Sequence, residues 1–458
     1  MIENDAFKLL LINLFHLNPD DIANILCTTF NKMMVLFVTL TDKHQACPYC
    51  GFTAPKIKEY VTKEITHSAL TTQKCIIKYR ARRYKCSCCG KTYYEFNPFV
   101  FKSQKISILT VHNILKDLKD FNETFTSVAR RYHVSPTSVS TIFDKHVDIG
   151  RNPLPEIINF DEVYAFKSEK SKYVCVLLDF KKQIPVDVLP NRKKEYLLNY
   201  FQKIPLEERK KVKYACSDMY EVYRDVVHKV FPSCCMLLDY FHLSQDFHRK
   251  MNEVRIKVMK GYKDNKASDE YYLLKKFNWL LFKNPEDEDK YGRLFDVERE
   301  RKYNSHFKSY MNYYDLRKKL LEINNDLTIC YSLKLELVDF YSKSTIDNAK
   351  VNLENLIRSC IDTNIEEMIK FSNNLINWKQ EIINSFTIVD TEYKVEADKG
   401  QVVVCNKKVN NAIIENRNKI IKCIKNNANG YTNWSRFRNR VMYVLDPNTT
   451  FSLEPREK

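Results

Sequence analysis

Glycine is scarce in this chain, at 7 of 458 residues. Neither GxxxxGKS/T nor GxGxxG occurs, so the glycine-rich turns that cradle the phosphates of ATP or NAD are missing. That argues against a nucleotide-fuelled motor. No run reaches the roughly 18 apolar residues of a membrane span, so no membrane partner is expected. The opening "MIENDAFKLLLINLFHL" starts acidic and lacks a basic region and a small-residue cleavage site, so no signal peptide is expected and a cytoplasmic location is. Acidic residues also run short in one place. Between Asp398 and Asp446 the only carboxylate is Glu415, among Lys399, Lys407, Lys408, Arg417, Lys419, Lys422, Lys425, Arg436, Arg438 and Arg440.

What is present points to a polyanion. The formal net charge is +17, and 44% of residues are hydrophobic, enough for several buried cores. Nucleic acid is the expected partner. Fifteen cysteines in a reducing compartment read as thiols or metal ligands rather than disulfides.

Two of the few glycines directly follow cysteine pairs, in "CPYCG" (Cys47, Cys50, Gly51) and "CSCCG" (Cys86, Cys89, Gly90). In a zinc knuckle two thiolates bind one ion, and the turn behind them favours a residue at positive φ. The text between the pairs is strand-like, "EYVTKEITHS" and "KCIIKYRARRYK", which predicts a zinc ribbon holding structural zinc through Cys47, Cys50, Cys86 and Cys89. Cys88 lies inside the second pair and competes as a ligand on spacing alone. After the ribbon, "TFTSVARRYHVSPTSVSTIFDKHV" has the cadence of a helix-turn-helix. Phe125, Val128, Ala129 and Tyr132 form an inward face, His133 and Val134 the turn, and Ser135 caps a second helix opened by Pro136. Val139, Ile142 and Phe143 face inward. Arg130, Arg131, Ser135, Thr137, Ser138 and Thr141 are the candidate DNA contacts.

Past "GRNPLPE" the pattern becomes β-β-β-α-β-α-β-α: "IINFDEVYAF", "KYVCVLLDF", "IPVDVLP", a helix, "VKYACSD", a helix, "CCMLLDYFHL" and a third helix. Three antiparallel strands followed by two crossover strands describe a ribonuclease-H-like sheet, in which the first and fourth strands lie side by side and parallel. Sites of open α/β sheets form at strand carboxyl ends. That topology brings Asp161, late in the first strand, to Asp218, which closes the fourth. Two carboxylates placed together call for a cation, and Mg²⁺ (or Mn²⁺) suits them. Glu415 would come from a helix whose wheel sets Asn411, Glu415, Asn418, Lys419 and Lys422 against Ile413, Ile414, Ile420, Ile421 and Ile424. It would supply a third ligand, while Lys419 and Lys422 meet DNA phosphate. Each acid also has a plain structural reading. In a strand Asp161 and Glu162 point to opposite faces, leaving one for solvent. Asp218 suits a helix N-cap, and Glu415 suits an i,i+4 pair with Lys419.

Taken together, the cysteine ribbon, the helix-turn-helix, "NFDEV", "CSDMYEVY", "LLDYFHL" and "NNAIIENRNKIIKCIKNNANGYTNWSRFRNRVMYVL" resemble the DDE transposases of the ISL-three insertion-sequence family of bacteria. The resemblance covers nearly the whole chain. It implies that Asp161, Asp218 and Glu415 are the catalytic triad and that Mg²⁺ is required. It also implies that the N-terminal module binds the element's terminal inverted repeats, that a homodimer acts on paired ends, and that the protein is associated with the nucleoid. The family's acidic residue and histidine after the fifth strand match Asp239 and His242, which become candidates for active-site support. Asn411-Ala412 stands where the family often has Asn-Gly.

The expected architecture is therefore α/β, a ribonuclease-H-like catalytic domain with a large all-α insertion, preceded by a zinc ribbon and a helix-turn-helix domain. The expected boundaries are a lead-in of helix and strand at 1–40, the ribbon at 41–100, the helix-turn-helix at 104–150 and the first part of the core at 156–255. The helical insertion follows at 256–400, then the glutamate helix with the basic segment at 401–447, and a tail at 448–458. Two rival functions share most of these features. One is a structure-selective nuclease on the same sheet, which has little use for a sequence-reading module. The other is a non-catalytic DNA-binding regulator derived from a transposase, which has no need of the acids.

Overall fold

A computed structural model describes residues 2–43, 45–101, 104–166, 171–394 and 402–456. The chain opens with α1 (Ile2–Leu14) and the strands β1 (Ile22–Phe30), β2 (Met33–Leu40), β3 (Lys56–Thr66), β4 (Cys75–Lys85) and β5 (Thr92–Tyr94). These strands make one five-stranded sheet, ordered β1-β2-β4-β3 with β5 also on β4. In β4, "CIIKYRARRYK", apolar and basic residues alternate, and Cys75, Ile77, Tyr79 and Ala81 are buried against α1 and β2. The boundary expected at 40/41 therefore falls inside a sheet. β2 pairs in parallel with β4 across it, because β2's buried Leu36 and Val38 share one core with Ile77 and Tyr79.

His67 joins this sheet to the next unit. It is 2% exposed; Nε2 donates to the Phe15 carbonyl at 2.8 Å and Nδ1 accepts from Ser107 Oγ at 2.9 Å. Burial, with His16 adding to it, holds its pKa below the ordinary value. The folded state therefore keeps the ring neutral and the unfolded chain takes the proton. Stability is complete above the unfolded pKa of about 6.5 and is lost as pH falls below it. The contribution of His67, read as the difference in urea midpoint between wild type and His67→Gln, is expected to be smaller at pH 5 than at pH 7.

Next come α2 (Ile108–Asp117), α3 (Phe125–Arg131) and α4 (Pro136–His146). Ser135 Oγ accepts from the Ser138 N–H at 3.0 Å and caps α4, and His133 takes φ 52° in the turn before it. Val128, Ala129, Tyr132, Val139, Ile142 and Phe143 are buried together.

The second sheet is built from β6 (Ile157–Val163), β7 (Val174–Asp179), β8 (Pro185–Leu189), β9 (Tyr214–Ser217) and β10 (Cys235–Leu238). It is ordered β10-β9-β6-β7-β8; β6, β7 and β8 are antiparallel, while β9 runs parallel to both β6 and β10. Between β8 and β9 lie α5 (Lys194–Gln202) and α6 (Leu206–Arg209), then α7 (Glu221–Val230) before β10 and α8 (Tyr240–Lys260) after it. Alternation along β6 sends Ile158 and Phe160 into the core with α5 and α7, and Val163 into the core shared with α2–α4.

The insertion carries α9 (Asp269–Lys276), hairpin β11 (Glu288–Asp289) with β12 (Gly292–Arg293), hairpin β13 (Lys302–Asn304) with β14 (Ser309–Met311), α10 (Tyr313–Glu322), α11 (Asn325–Lys343), α12 (Ala349–Asp362), α13 (Glu366–Asn377) and α14 (Lys379–Asn384). A further hairpin, β15 (Ile388–Lys394) and β16 (Val402–Lys408), leads to α15 (Ala412–Asn427) and α16 (Trp434–Leu445). An all-α insertion is thus corrected. Residues 286–311 are dense in Asp, Glu, Arg and Tyr and carry no 3.6-residue apolar stripe, so they make short hairpins instead. The helices enclose a core of their own with Leu243, Phe247 and Met251 of α8, and both Trp279 and Trp378 pack on it.

α16 ties the N-terminal helices to the second sheet. Arg436 forks onto Asp144 of α4 (3.0 and 2.6 Å), and Arg438 binds Asp187 of β8 at 2.7 Å. Arg440 is 1% exposed and donates from Nη2 to the carbonyls of Asp120 and Glu123, both at 2.8 Å. Arg440→Ala empties that site and strands both carbonyls, so a loss of about 2 kcal/mol or more is expected in denaturant unfolding.

Candidate carboxylate site and cysteine cluster

At the carboxyl ends of β6 and β9 the sheet gathers acids from four elements. Asp161 sits in β6, Asp218 directly after β9, Asp239 at the start of α8 with His242 one turn on, and Glu415 in the first turn of α15. Asp161 and Asp239 are buried, at 8% and 3% exposure. His242 Nε2 lies 3.9 Å from Asp239 Oδ2 and 4.0 Å from Glu415 Oε1. Ligand atoms of Asp239, His242 and Glu415 all fall within 4.8 Å of one another. Asp161 and Asp218 are not part of that tight group. Glu415 therefore groups with the pair expected only as support, and Asp161, Asp218 and Glu415 do not form a closed three-carboxylate cluster among the described residues.

Electrostatics mark the site as short of positive charge. Burial, with the Asp218 carboxylate adding to it, pushes the Asp161 carboxyl up to about 7 against the Glu162 N–H. Burial and then Glu162 push Asp218 up to about 6, opposed by His242 and Arg192. Burial also raises Asp239. Asp218 Oδ1, Asp239 Oδ2 and His242 Nε2 are buried without a hydrogen-bond partner among the described residues. Orphaned acceptors of this kind are costly unless a cation or ordered water meets them. Oxygen donors with one imidazole suit Mg²⁺ or Mn²⁺.

The plain structural readings fare differently for each acid. Glu162 points to the other face of β6 and pairs with Arg192, near Tyr223. Asp218 is not the cap of α7, where Tyr220 stands. Lys419 Nζ reaches Asn416 at 3.3 Å, and no ion pair joins it to Glu415 among the described residues.

Three asparagines hold the site in register: Asn411 and Asn418 on the polar stripe of α15, and Asn159 of β6, which no sequence pattern marks. Asn418 is buried and donates from Nδ2 to Asp161 Oδ2 at 2.7 Å. Asn411, the N-cap of α15, is fully buried: Nδ2 reaches the Phe160 carbonyl at 3.2 Å, Oδ1 accepts from Asn159 Nδ2 at 2.7 Å, and its N–H meets Asp239 at 3.2 Å. Glu415 N donates to the Asn411 carbonyl at 3.0 Å, so the seat of Asn411 sets where Glu415 stands. The signal was their spacing: 411, 415 and 418 form one stripe on a helix.

The cysteine cluster lies at the far end of the first sheet. Cys47 Sγ is 3.7 Å from Cys89 Sγ, Cys50 Sγ is 3.5 Å from Cys86 Sγ, and all four lie within 4.8 Å. Zinc–sulfur bonds of about 2.3 Å place tetrahedral sulfurs about 3.8 Å apart, so the four could hold zinc. Gly51 and Gly90 adopt φ of 74° and 72°, the positive angles the turns require. Hydrogen bonds from the Cys89 and Cys88 N–H groups hold the Cys86 thiol down at about 7. Cys88 is exposed and stands outside the cluster.

Among the candidate DNA contacts, Arg130, Thr137, Thr141, Lys419 and Lys422 are exposed, and Ser138 is half-exposed beside the cap Ser135. Arg131 pairs with both Asp117 and Glu123. Arg417, Arg436, Arg438 and Arg440, part of the basic run around Glu415, are likewise bound to this chain's own carbonyls or carboxylates.

Comparison with known proteins places the chain in a family. The sequence model of the ISL3 family of DDE transposases, described as "Transposase", matches residues 158–397, just over half of the chain. The chain belongs to that transposase family. The match takes in Asp161, Asp218, Asp239 and His242, while Glu415 lies beyond it. This family member is also similar to the transposase for insertion sequence element IS1001 of Bordetella parapertussis, with 19% identity over 419 residues, 91% of this chain and 93% of that one.

Among the described residues no helix is long and apolar enough to cross a membrane.

Proposed function

We propose that this transposase-family chain cuts and joins DNA strands at the ends of an insertion sequence by a DDE mechanism, with Asp161, Asp218 and Glu415 as its catalytic carboxylates. The observation that carries the reading is the grouping of Glu415 with Asp239 and His242 beside the ends of β6 and β9, where Asp161 and Asp218 stand, with Asp218 Oδ1 and Asp239 Oδ2 left without a donor among the described residues. The strand order and directions of β6–β10 support a ribonuclease-H-like core. The capped α4 after α3, with Arg130, Thr137 and Thr141 exposed, supports a helix-turn-helix reading the terminal inverted repeats. The four sulfurs support a structural zinc ribbon, and the net charge of +17 supports double-stranded DNA as the partner. A homodimer on paired ends and a nucleoid-associated, cytoplasmic setting belong to the same proposal.

When bound, Mg²⁺ or Mn²⁺ supplies an activated water or 3′-hydroxyl and stabilises charge on the phosphate. The chain's own residues do the rest. Asn418 and the Glu162 N–H fix both oxygens of Asp161. Asp218 and Asp239 each keep one oxygen free to face a cation. Asn411 seats Glu415, and His242 stands between Asp239 and Glu415, where it can join the ligand set. Lys419 and Lys422, exposed on α15, lie where they can neutralise DNA phosphate. No Ser, Cys or Tyr nucleophile is required.

The test is a cutting and joining assay on a labelled element-end duplex with Mg²⁺, Mn²⁺ or EDTA. Cutting and joining with either metal, absent in EDTA, is expected. Binding without cutting in either metal would favour the non-catalytic regulator, and cutting without joining the plain nuclease.

A further inference from the structure

A cleft of about 530 Å³ opens beside Asp218 and His242 and runs between α8 and the end of α13. Its volume lies in the range of about 300–1,000 Å³ typical of small-ligand sites. His242, Gln245, Asp246 and Arg249 line it at spacings of three and four, as one stripe of α8. Asn374 and Asn377 face them from the insertion. The wall is stiff. Asp246, 4% exposed, accepts from Asn374 Nδ2 at 2.7 Å and from the Arg249 guanidinium. Asn377 donates to Glu221 at 3.1 Å, and Arg224 holds the Asn377 carbonyl at 2.8 Å while stacking on Trp378 at 4.2 Å.

Gln245 and Arg249 are exposed at the mouth. The amide offers one acceptor and two donors, and the guanidinium keeps further donors beyond its bond to Asp246. Asp218, Glu221 and Asp246 in the lining disfavour a phosphate. A neutral ring with amino and carbonyl groups on its edge suits them. A cleft that continues directly from Asp218 lies next to whatever phosphodiester that acid serves.

We propose that this cleft receives the base of the nucleotide adjoining the scissile phosphodiester, drawn out of the duplex stack, and that Gln245 and Arg249 read its edge. The proposal rests on the strand-cleaving reading above. Amide and guanidinium groups recognise base edges by paired hydrogen bonds, and drawing one base out of a duplex costs only modest unstacking and unpairing energy. The insertion then has a definite task, since it supplies one wall of the pocket.

The experiment places 2-aminopurine, which brightens when unstacked, at each position flanking the cut in an element-end duplex. A several-fold rise at one position on adding the full-length protein is expected. Gln245→Ala and Arg249→Ala should abolish that rise, shift end affinity less than about twofold, and slow cutting about tenfold or more on the intact end. An abasic site at that position should slow the wild type similarly and add nothing in either variant. A flat signal at every position, or a rise that persists in both variants, overturns the pocket. Asp218→Asn separates the two readings. Loss of cutting with the rise retained upholds both. Loss of cutting with a flat signal sinks the pocket alone. Cutting that survives Asp218→Asn sinks the strand-cleaving reading itself.

Discussion

Glu415→Gln, Asp161→Asn and Asp218→Asn are each expected to abolish metal-dependent strand cutting while leaving binding of the element end within about twofold. Metal-assisted charge stabilisation contributes several kcal/mol at the phosphate, so losing a ligand costs about 10³-fold or more. End binding should survive, because the proposed DNA-reading residues sit on α3 and α4 and none of the acids does. Asn418→Ala makes the sharper comparison. Asn418 touches no substrate and acts through Asp161 Oδ2; as a positioning residue it should cost about 10–100-fold in rate or metal affinity. Single-turnover cutting and Mn²⁺ binding, measured side by side, check both. Cutting that persists in Glu415→Gln would return Glu415 to the role of a helix-surface charge, and equal effects from Asn418 and Asp161 would mean that Asn418 is itself a ligand.

Loss of the cysteine cluster is expected to be the second large effect. Cys47 and Cys86 share a small core with Tyr84 and Tyr93 only, whose rings lie 5.6 Å apart. That core is too small to hold the tip of the sheet alone, whereas the body of the sheet keeps its own core around Leu36, Ile77 and Phe99. One zinc per chain should be found by metal analysis. Structural zinc binds with about 10–16 kcal/mol in small domains, so Cys50→Ser or Cys89→Ser should release it and loosen the tip. Cys88→Ser should keep it. Hydrogen exchange should show lost protection around residues 45–52 and 84–94 in the two ligand variants, with the rest of the sheet protected. Retention of zinc in Cys89→Ser with loss in Cys88→Ser would exchange the two assignments.

Local pattern carried much of this protein. The trailing glycines of the two cysteine pairs demanded positive φ, and both have it. Ser135-Pro136 marked the start of α4 because a cap and a missing N–H are local matters. Period-two alternation and the intervening helices predicted the order of β6–β10, since a strand and its crossover are encoded within some thirty residues. Asp161 and Asp218 followed from that order.

Other features depended on partners far away in sequence. The polar face of α15 was expected to present Glu415 to a metal and Lys419 and Lys422 to DNA; that Asn411 and Asn418 on it are buried depends on Asn159, Phe160, Asp161 and Asp239, whose hydrogen bonds no local window contains. Arg131, a candidate DNA contact, pairs with Asp117 and Glu123, and Arg440 of the basic run binds the carbonyls between α2 and α3. The insertion's hairpins broke an expected run of helices. The cleft between α8 and α13 exists only because two segments about 130 residues apart fold against each other.

By itself the sequence determined which groups could do chemistry here: two thiol pairs, a capped helix, two strand-end aspartates and one glutamate in a basic run. Tertiary structure alone decided which of them meet. It set Glu415 beside Asp239 and His242, bound Asn418 to Asp161 and turned most of the nearby arginines inward. The physical reason is that charge and hydrogen-bonding capacity belong to residues, whereas their desolvation and pairing belong to whichever surfaces the folded chain brings together.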